Sequence, residues 1–268
     1  MSSNTRQGID CKTREALHDQ LQFTNVIGTE CLNTSPKQLA GLLDAYVEEE
    51  RPTLSVDFTN VHIVSMRQTD PSFHEVTSRV DWFVPDSQVL KWAVNLRGGG
   101  MKERVYGPKF LDFAVRQCNI KTSHYFLGAS QECLDLLLGR VRVIRPDINI
   151  VGSHNGYFLA DQNDEVLADI SKCNPDFIWV GLGTPRQQKW IYENKAKIKR
   201  GVLLAVGFAF DVNAGTKKDS PEWVGRAGLT WLYRLASEPR RLFGRYVYYN
   251  SVFCWSLLRQ FIHKKHDI

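Results

Sequence analysis

The six cysteines of this 268-residue chain stand far apart, at positions 11, 31, 118, 133, 173 and 254, with no Cys-x-x-Cys and no Cys/His spacing that suits a metal. Neither a disulfide framework nor a zinc site is expected, and the thiols read as reduced groups of a cytosolic protein. No Gly-x-Gly-x-x-Gly follows an early apolar run, which weighs against a dinucleotide-dependent oxidoreductase, and no Asp-x-Asp follows a strand to hold a divalent cation. Long apolar runs are also missing. Residues Met1 to Gln22 are polar and charged, so no signal peptide is predicted. The run from Tyr246 to Leu258 is short and broken by Asn250, Ser251 and Ser256, which argues against a membrane-spanning helix.

What is present suffices for a core. A hydrophobic content of 43% excludes a disordered chain, and the length suits one large domain, alone or with an appendage. The net charge of +5 is unevenly placed: from Thr216 onward ten Lys or Arg face four acids, whereas residues 1–215 hold 24 bases and 25 acids. A near-neutral body with a basic, aromatic tail points to an anionic surface as partner, a membrane face or nucleic acid. Three parts are predicted: a polar arm over 1–22, a body over 23–215 and a helical appendage over 216–268.

Strand and helix patterns alternate through the body. Strands are predicted at Val26 to Cys31, Leu54 to Phe58, Val80 to Val84, Ser123 to Leu127, Ile148 to Gly152, Asp176 to Val180 and Val202 to Val206. Helices are predicted between them, one opened by Ser35-Pro36 and one running from Ile63 to Arg79, with a glycine-rich hinge at Arg97 to Gly100. Such alternation demands an α/β fold, a Rossmann-like parallel sheet with helices on both faces. In the tail, Leu242, Tyr246, Tyr249, Phe253 and Leu257 form a helical stripe with Arg240, Arg241 and Arg245 off it, a basic amphipathic helix. It serves either a membrane surface, with Trp223, Trp231 and Trp255 at the interface, or packing on the body.

The stretch Pro175 to Trp190 organises the site. Its apolar half ends in Gly181 and Gly183; Thr184 then suits an N-cap and Pro185 the first helical position, which puts Arg186, Gln187, Gln188 and Lys189 in a first turn. Free N–H groups and two added cations invite an anion there, although a plain turn between strand and helix reads the same way. Gly128-Ala129-Ser130 is a second phosphate or ribose contact. Asp86 is a carboxylate at a strand end, either a general base or an N-cap, and Thr59, Asn60 and His62 arrive at another strand end. His62 and His154 read as structural, and Asp211 as a pin for the loop after Gly207.

These pieces together resemble a family. Asp176 to Trp190, Gly207-Phe-Ala-Phe-Asp-Val-Asn-Ala-Gly215, Trp231-Leu-Tyr-Arg234 and Glu238-Pro-Arg-Arg-Leu242 are similar to motifs of the WecG/TagA/CpsF glycosyltransferases. Pro85-Asp86, Glu103 to Gly107 and Ile150 to Tyr157 fall in the same order, so the resemblance spans about Val26 to Tyr246. It departs at Phe58-Thr59-Asn60, where the threonine comes one residue late, at Ser87-Gln88 in place of a glycine, at Ala129 and at Gln188, where the family pattern has glutamate.

The resemblance implies an inverting, metal-independent transferase that moves a sugar from a UDP-sugar, its co-substrate, to a polyprenyl-diphosphate-linked saccharide in bacterial surface polysaccharide or teichoic acid synthesis. No cofactor and no nucleic acid are expected, and a homo-oligomer is compatible. Asp86 is then the base, Asn60 and Thr59 orient a substrate, and Gly128, Gly181, Gly183, Thr184, Arg186, Gln187, Gly207 and Asp211 hold the donor. Arg234, Arg240 and Arg241 of the appendage either meet a diphosphate, that of the leaving group or of the acceptor, or face solvent or lipid. The expected place is the inner face of the cytoplasmic membrane, bound peripherally through the tail. The rivals are the oxidoreductase and a non-catalytic nucleotide- or nucleic-acid-binding module.

Overall fold

The computed structural model describes residues 21–49 and 51–264, so residues 1–20 of the arm predicted over 1–22, Cys11 among them, lie outside the described residues. Eight strands form one sheet in the order β1-β2-β4-β3-β8-β7-β5-β6. They are β1 (Phe23–Val26), β2 (Thr29–Leu32), β3 (Leu54–Thr59), β4 (Trp82–Pro85), β5 (Ser123–Gly128), β6 (Asn149–His154), β7 (Phe177–Gly181) and β8 (Val202–Ala205). All pairs are parallel except β1 with β2. The Rossmann-like α/β expectation therefore holds.

One difference is at the start. The single strand expected over Val26 to Cys31 is a hairpin, because Ile27 and Gly28 both take positive φ, +50° and +68°. Two such residues make the tight turn whose twist suits paired strands.

The helices follow local signals closely. Ser35 caps α1 (Pro36–Glu48) in a capping box with Gln38, and Pro36 takes the first turn. The helix expected from Ile63 to Arg79 is two helices, α2 (Val61–Thr69) and α3 (Pro71–Thr77). Asp70 ends the first, and its carboxylate accepts from Ser72 N at 3.0 Å and Phe73 N at 3.1 Å to cap the second. Then come α4 (Gln88–Leu96), α5 (Gly107–Gln117), α6 (Gln131–Ile144), α7 (Asn163–Cys173), α8 (Arg186–Asn194) and α9 (Ala209–Ala214). The appendage adds α10 (Glu222–Arg226), α11 (Thr230–Ser237) and α12 (Pro239–Lys264).

Both faces of the sheet are covered. On one, Leu39, Leu43, Phe110, Leu134, Leu137 and Phe210 pack on Phe126 and Trp179. On the other, Val166, Ile170, Trp190 and Ile191 cover Leu127, Val180 and Leu203. Near the hairpin, Val64, Leu90, Val94 and Phe253 close a third cluster. β3, β5 and β8 are buried along their whole lengths, which explains the wholly apolar sequence of β8; β3 and β5 bury polar residues as well.

The tail helix packs on the body, which is one of the two alternatives its sequence offered. Leu242 and Phe253 of the stripe are 0% and 2% exposed, so that stripe is occupied by the domain. Ser65 Oγ donates to Tyr249 O at 2.8 Å, and Gln260 joins the hairpin through Ile27 N at 3.1 Å and Asn25 Oδ1 at 3.1 Å. A second apolar face of α12, with Phe243, Val247, Trp255, Leu258 and Ile262, is exposed. Among the described residues no helix is long and apolar enough to cross a membrane.

Parallel pairing brings the carboxyl ends of five strands into line. Thr59 pairs with Pro85, Asp57 and Val180 both pair with Ala205, and Gly128 pairs with Gly181. The segments that follow therefore meet along one edge of the sheet, where open α/β sheets carry their sites.

Candidate active site

Two adjoining cavities open along that edge. A polar lobe of about 440 Å³ is lined by the segments after β7 and β8, with Gly181, Gly183, Thr184, Gln187, Gly207 and Asp211. An aromatic lobe of about 330 Å³ lies between α4 and the appendage and is walled by Val89, Trp231, Tyr246 and Phe253. Asn60, His62, Asp86, Tyr106, Arg234 and Arg245 line both lobes.

Asp86 stands at their junction. Its own N–H donates to Thr59 O at 2.8 Å, and Gly107 N donates to its Oδ1 at 2.7 Å. The loop that delivers Gly107 is held by Val105 N on Pro85 O at 2.9 Å. Desolvation pushes the Asp86 carboxyl up to about 6, against the Gly107 bond and the charges of Arg104 and Arg234. Capping of α4 falls to Ser87, whose Oγ accepts from Leu90 N at 3.2 Å. The N-cap alternative for Asp86 is thereby removed, and one of its oxygens is open to chemistry.

Asn60 caps α2, its Oδ1 accepting from His62 N at 3.0 Å and Ile63 N at 3.3 Å. That leaves its Nδ2 as the donor for a guest in either lobe. His62 is pushed down to about 4 by burial and then by Arg245 and Arg234, so it is neutral at physiological pH.

The glycine loop is shaped for close approach. Gly183 takes φ +77° and Gly207 +49°. Gln187, buried, holds the loop by accepting from Gly183 N at 3.2 Å. Asp211 stands on the rim; its backbone O accepts from Lys217 N and from Thr216 Oγ1, and its carboxylate accepts from Thr216 Oγ1 at 3.4 Å, so the loop is held through the main chain and one hydroxyl and not through backbone N–H groups on the carboxylate.

Several expected roles are moved. Thr59 is fully buried and its hydroxyl donates to Asp57, because residues two apart on a strand share a face; it does not reach either lobe. Thr184 is not the N-cap: Pro185 occupies that position, the Thr184–Pro185 peptide is cis, and Thr184 Oγ1 accepts from Gln188 Nε2 at 3.3 Å. Arg186 turns aside, donating to Phe158 O at 3.1 Å and lying over the Phe158 ring. Gly128 contributes proximity only, since a Cβ there would meet the Gly181 backbone at 2.5 Å. Arg240 is exposed and lines neither lobe.

The cations that do line the cleft are Arg104, Lys217, Arg234, Arg241 and Arg245. Arg234 lies 4.0 Å over the Phe208 ring, while Lys217 and Arg241 share Glu238. Arg245 is different: its Nε is buried with no hydrogen-bond partner among the described residues, an arrangement that suits an anionic guest. Arg104, Lys217 and Arg245 are not assigned to the site by the sequence. Arg104 stood within the Glu103 to Gly107 motif, and Arg245 within the basic helix.

The family model "Glycosyl transferase WecG/TagA/CpsF family" matches residues 24–267. The chain is 25% identical over 222 residues to the N-acetylglucosaminyldiphosphoundecaprenol N-acetyl-beta-D-mannosaminyltransferase of Bacillus subtilis (strain 168), covering 82% of this chain and 86% of that protein. Proteins with the same description from Staphylococcus aureus strains MW2 and NCTC 8325 are 24% identical over 221 residues, with 81% and 86% covered. With a match over nearly its whole length, this chain belongs to the WecG/TagA/CpsF family of glycosyltransferases.

Proposed function

We propose that the protein transfers an N-acetylhexosamine, as its N-acetylmannosaminyltransferase relatives do by name, from a UDP-sugar to a polyprenyl-diphosphate-linked N-acetylglucosamine at the inner membrane face. The observation that carries this reading is the position of Asp86, a desolvated carboxylate shared by a polar and an aromatic lobe. The donor occupies the polar lobe, its diphosphate against the Gly181 to Thr184 backbone with Arg234, Arg241 and Arg245. The acceptor sugar enters the aromatic lobe, against Trp231 and Tyr246.

In the reaction, the acceptor hydroxyl attacks the anomeric carbon from the face opposite the leaving group. Its proton passes to Asp86, a new C–O bond forms, and the bond to UDP breaks with its electron pair on the diphosphate. Guanidinium groups and loop amides stabilise that charge, and no metal is required by this scheme. The exposed face of α12 then lies on the bilayer that carries the acceptor.

Asp86→Asn tests the reading. It removes the base at constant size, so transfer from UDP-N-acetylmannosamine to a lipid-linked N-acetylglucosamine should fall by about 10²-fold or more while UDP binding measured by calorimetry stays within about threefold. Retained turnover would sink the assignment.

A further inference from the structure

A second carboxylate, unused by this chemistry, is buried beneath the site. Asp57 is 1% exposed in the middle of β3, between Phe83 of β4 and Ala205 of β8. A charge or acid proton in the centre of a sheet is costly, so its partners indicate what it does there. Its Oδ1 accepts from Thr59 Oγ1 and its Oδ2 from Gln188 Nε2 at 2.8 Å. No ion pair to it is formed among the described residues; Arg67, the nearest cation to act on it, bonds Thr29 and Thr77 instead.

Those two partners reach the two halves of the site. Thr59 belongs to the strand end whose carbonyl accepts the Asp86 N–H at 2.8 Å. Gln188, 1% exposed in the first turn of α8, also donates to Thr184 Oγ1 at 3.3 Å, the last residue of the glycine loop. The neighbouring Gln187 holds Gly183 N. One buried acid therefore ties the strand beside the base to the helix that presents the loop, over a break in sequence of 131 residues. Among the described residues Gln188 Oε1 is buried without a partner, and that amide is oriented by its bonds to Asp57 and Thr184.

We infer that Asp57 is a positioning residue which, through Gln188, fixes the Gly181 to Thr184 loop against the strand end that carries Asp86. The loop amides are then held ready for an anion without being ordered by it, and the gap between base and loop is set before substrate arrives. The donor chemistry assigned to that loop is the reading proposed above; the mechanical coupling itself does not depend on it.

The test is a swapped pair in the full-length protein. Gln188→Glu puts two carboxylates face to face, whereas Asp57→Asn with Gln188→Glu restores the bond with donor and acceptor exchanged. Hydrogen exchange of the 181–186 amides should rise about tenfold in Q188E and return to within about threefold of wild type in the double variant, with α6 unchanged throughout. UDP affinity should follow the same pattern, falling about tenfold and recovering. Q188L, which removes the donor without adding a charge, gives the same loosening where Q188E fails to fold. Loop exchange equal to wild type in Q188E or Q188L, or a folded double variant that stays loose, overturns the inference. A wild-type protein that binds no UDP defeats the donor reading and leaves the exchange result standing.

Discussion

Charge placement at single residues sets the chemistry. Because the Asp86 carboxyl is raised to about 6, it acts as a base only above that pH; turnover should fall as pH drops through about 6, not through the ordinary aspartate range near 4. A kcat/KM profile from below pH 4 to pH 8 on the lipid-linked acceptor checks this, and an acid limb near 4 would contradict it. Arg245 is the second lever. Arg245→Ala should raise the donor KM by about tenfold or more, the usual scale for a charge-assisted bond, and Arg245→Lys should recover only part of it. Asp86 and Asn60 were legible in the sequence because polar residues stood just past apolar strands. Arg245 was not, since it lies off the apolar stripe and a helical cation there reads as solvated. Only the long-range seating of α12 on α2 carries it over the cleft. Asp57 was hidden for the opposite reason: it sits inside a strand whose burial the pattern had already explained.

Elements were read better than their junctions. Strand and helix order, and the edge where the motifs meet, followed from alternation alone. The hairpin and the split after Thr69 did not, because both depend on one or two backbone angles that compete with a longer periodic run. The tail illustrates the limit most clearly. A single stripe was expected to serve one surface, yet α12 has two apolar faces, one buried by the body and one open. Phe253→Ala should cost about 3–5 kcal/mol of packing, and hydrogen exchange should show α12 loosening before the sheet does. If the sheet and α12 lost protection together, the tail would be part of a single cooperative unit.

The whole molecule responds to pH and to surfaces in ways that follow from burial. His124 lies wholly inside the sheet, takes a bond from Trp179 Nε1 at 3.2 Å, and is pushed down to about 4 by burial and the Arg145 charge. The unfolded chain binds a proton on this ring below about 6.5, whereas the folded one does so only near 4, so the contribution of His124 to stability should fall as pH drops across that window. Urea unfolding of wild type and His124→Asn at pH 7 and pH 5 measures it, as a stability difference between the two proteins that changes with pH. The exposed face of α12 gives a second expectation: Trp255→Ser with Leu258→Ser should release the protein from anionic vesicles in sedimentation while leaving UDP binding unchanged. Dialysis against EDTA should leave turnover intact, since the arginines are assigned the leaving-group charge.

The two lobes share a wall of six side chains, Asn60, His62, Asp86, Tyr106, Arg234 and Arg245. For inhibitor design this adjacency matters more than the size of either cavity. A single rigid compound that joins a diphosphate mimic to an aromatic or sugar group surrenders its translational freedom once, where two separate fragments surrender it twice. Its affinity should therefore exceed that of either fragment by several orders of magnitude, provided that the linker passes over the Asp86 carboxylate without displacing it.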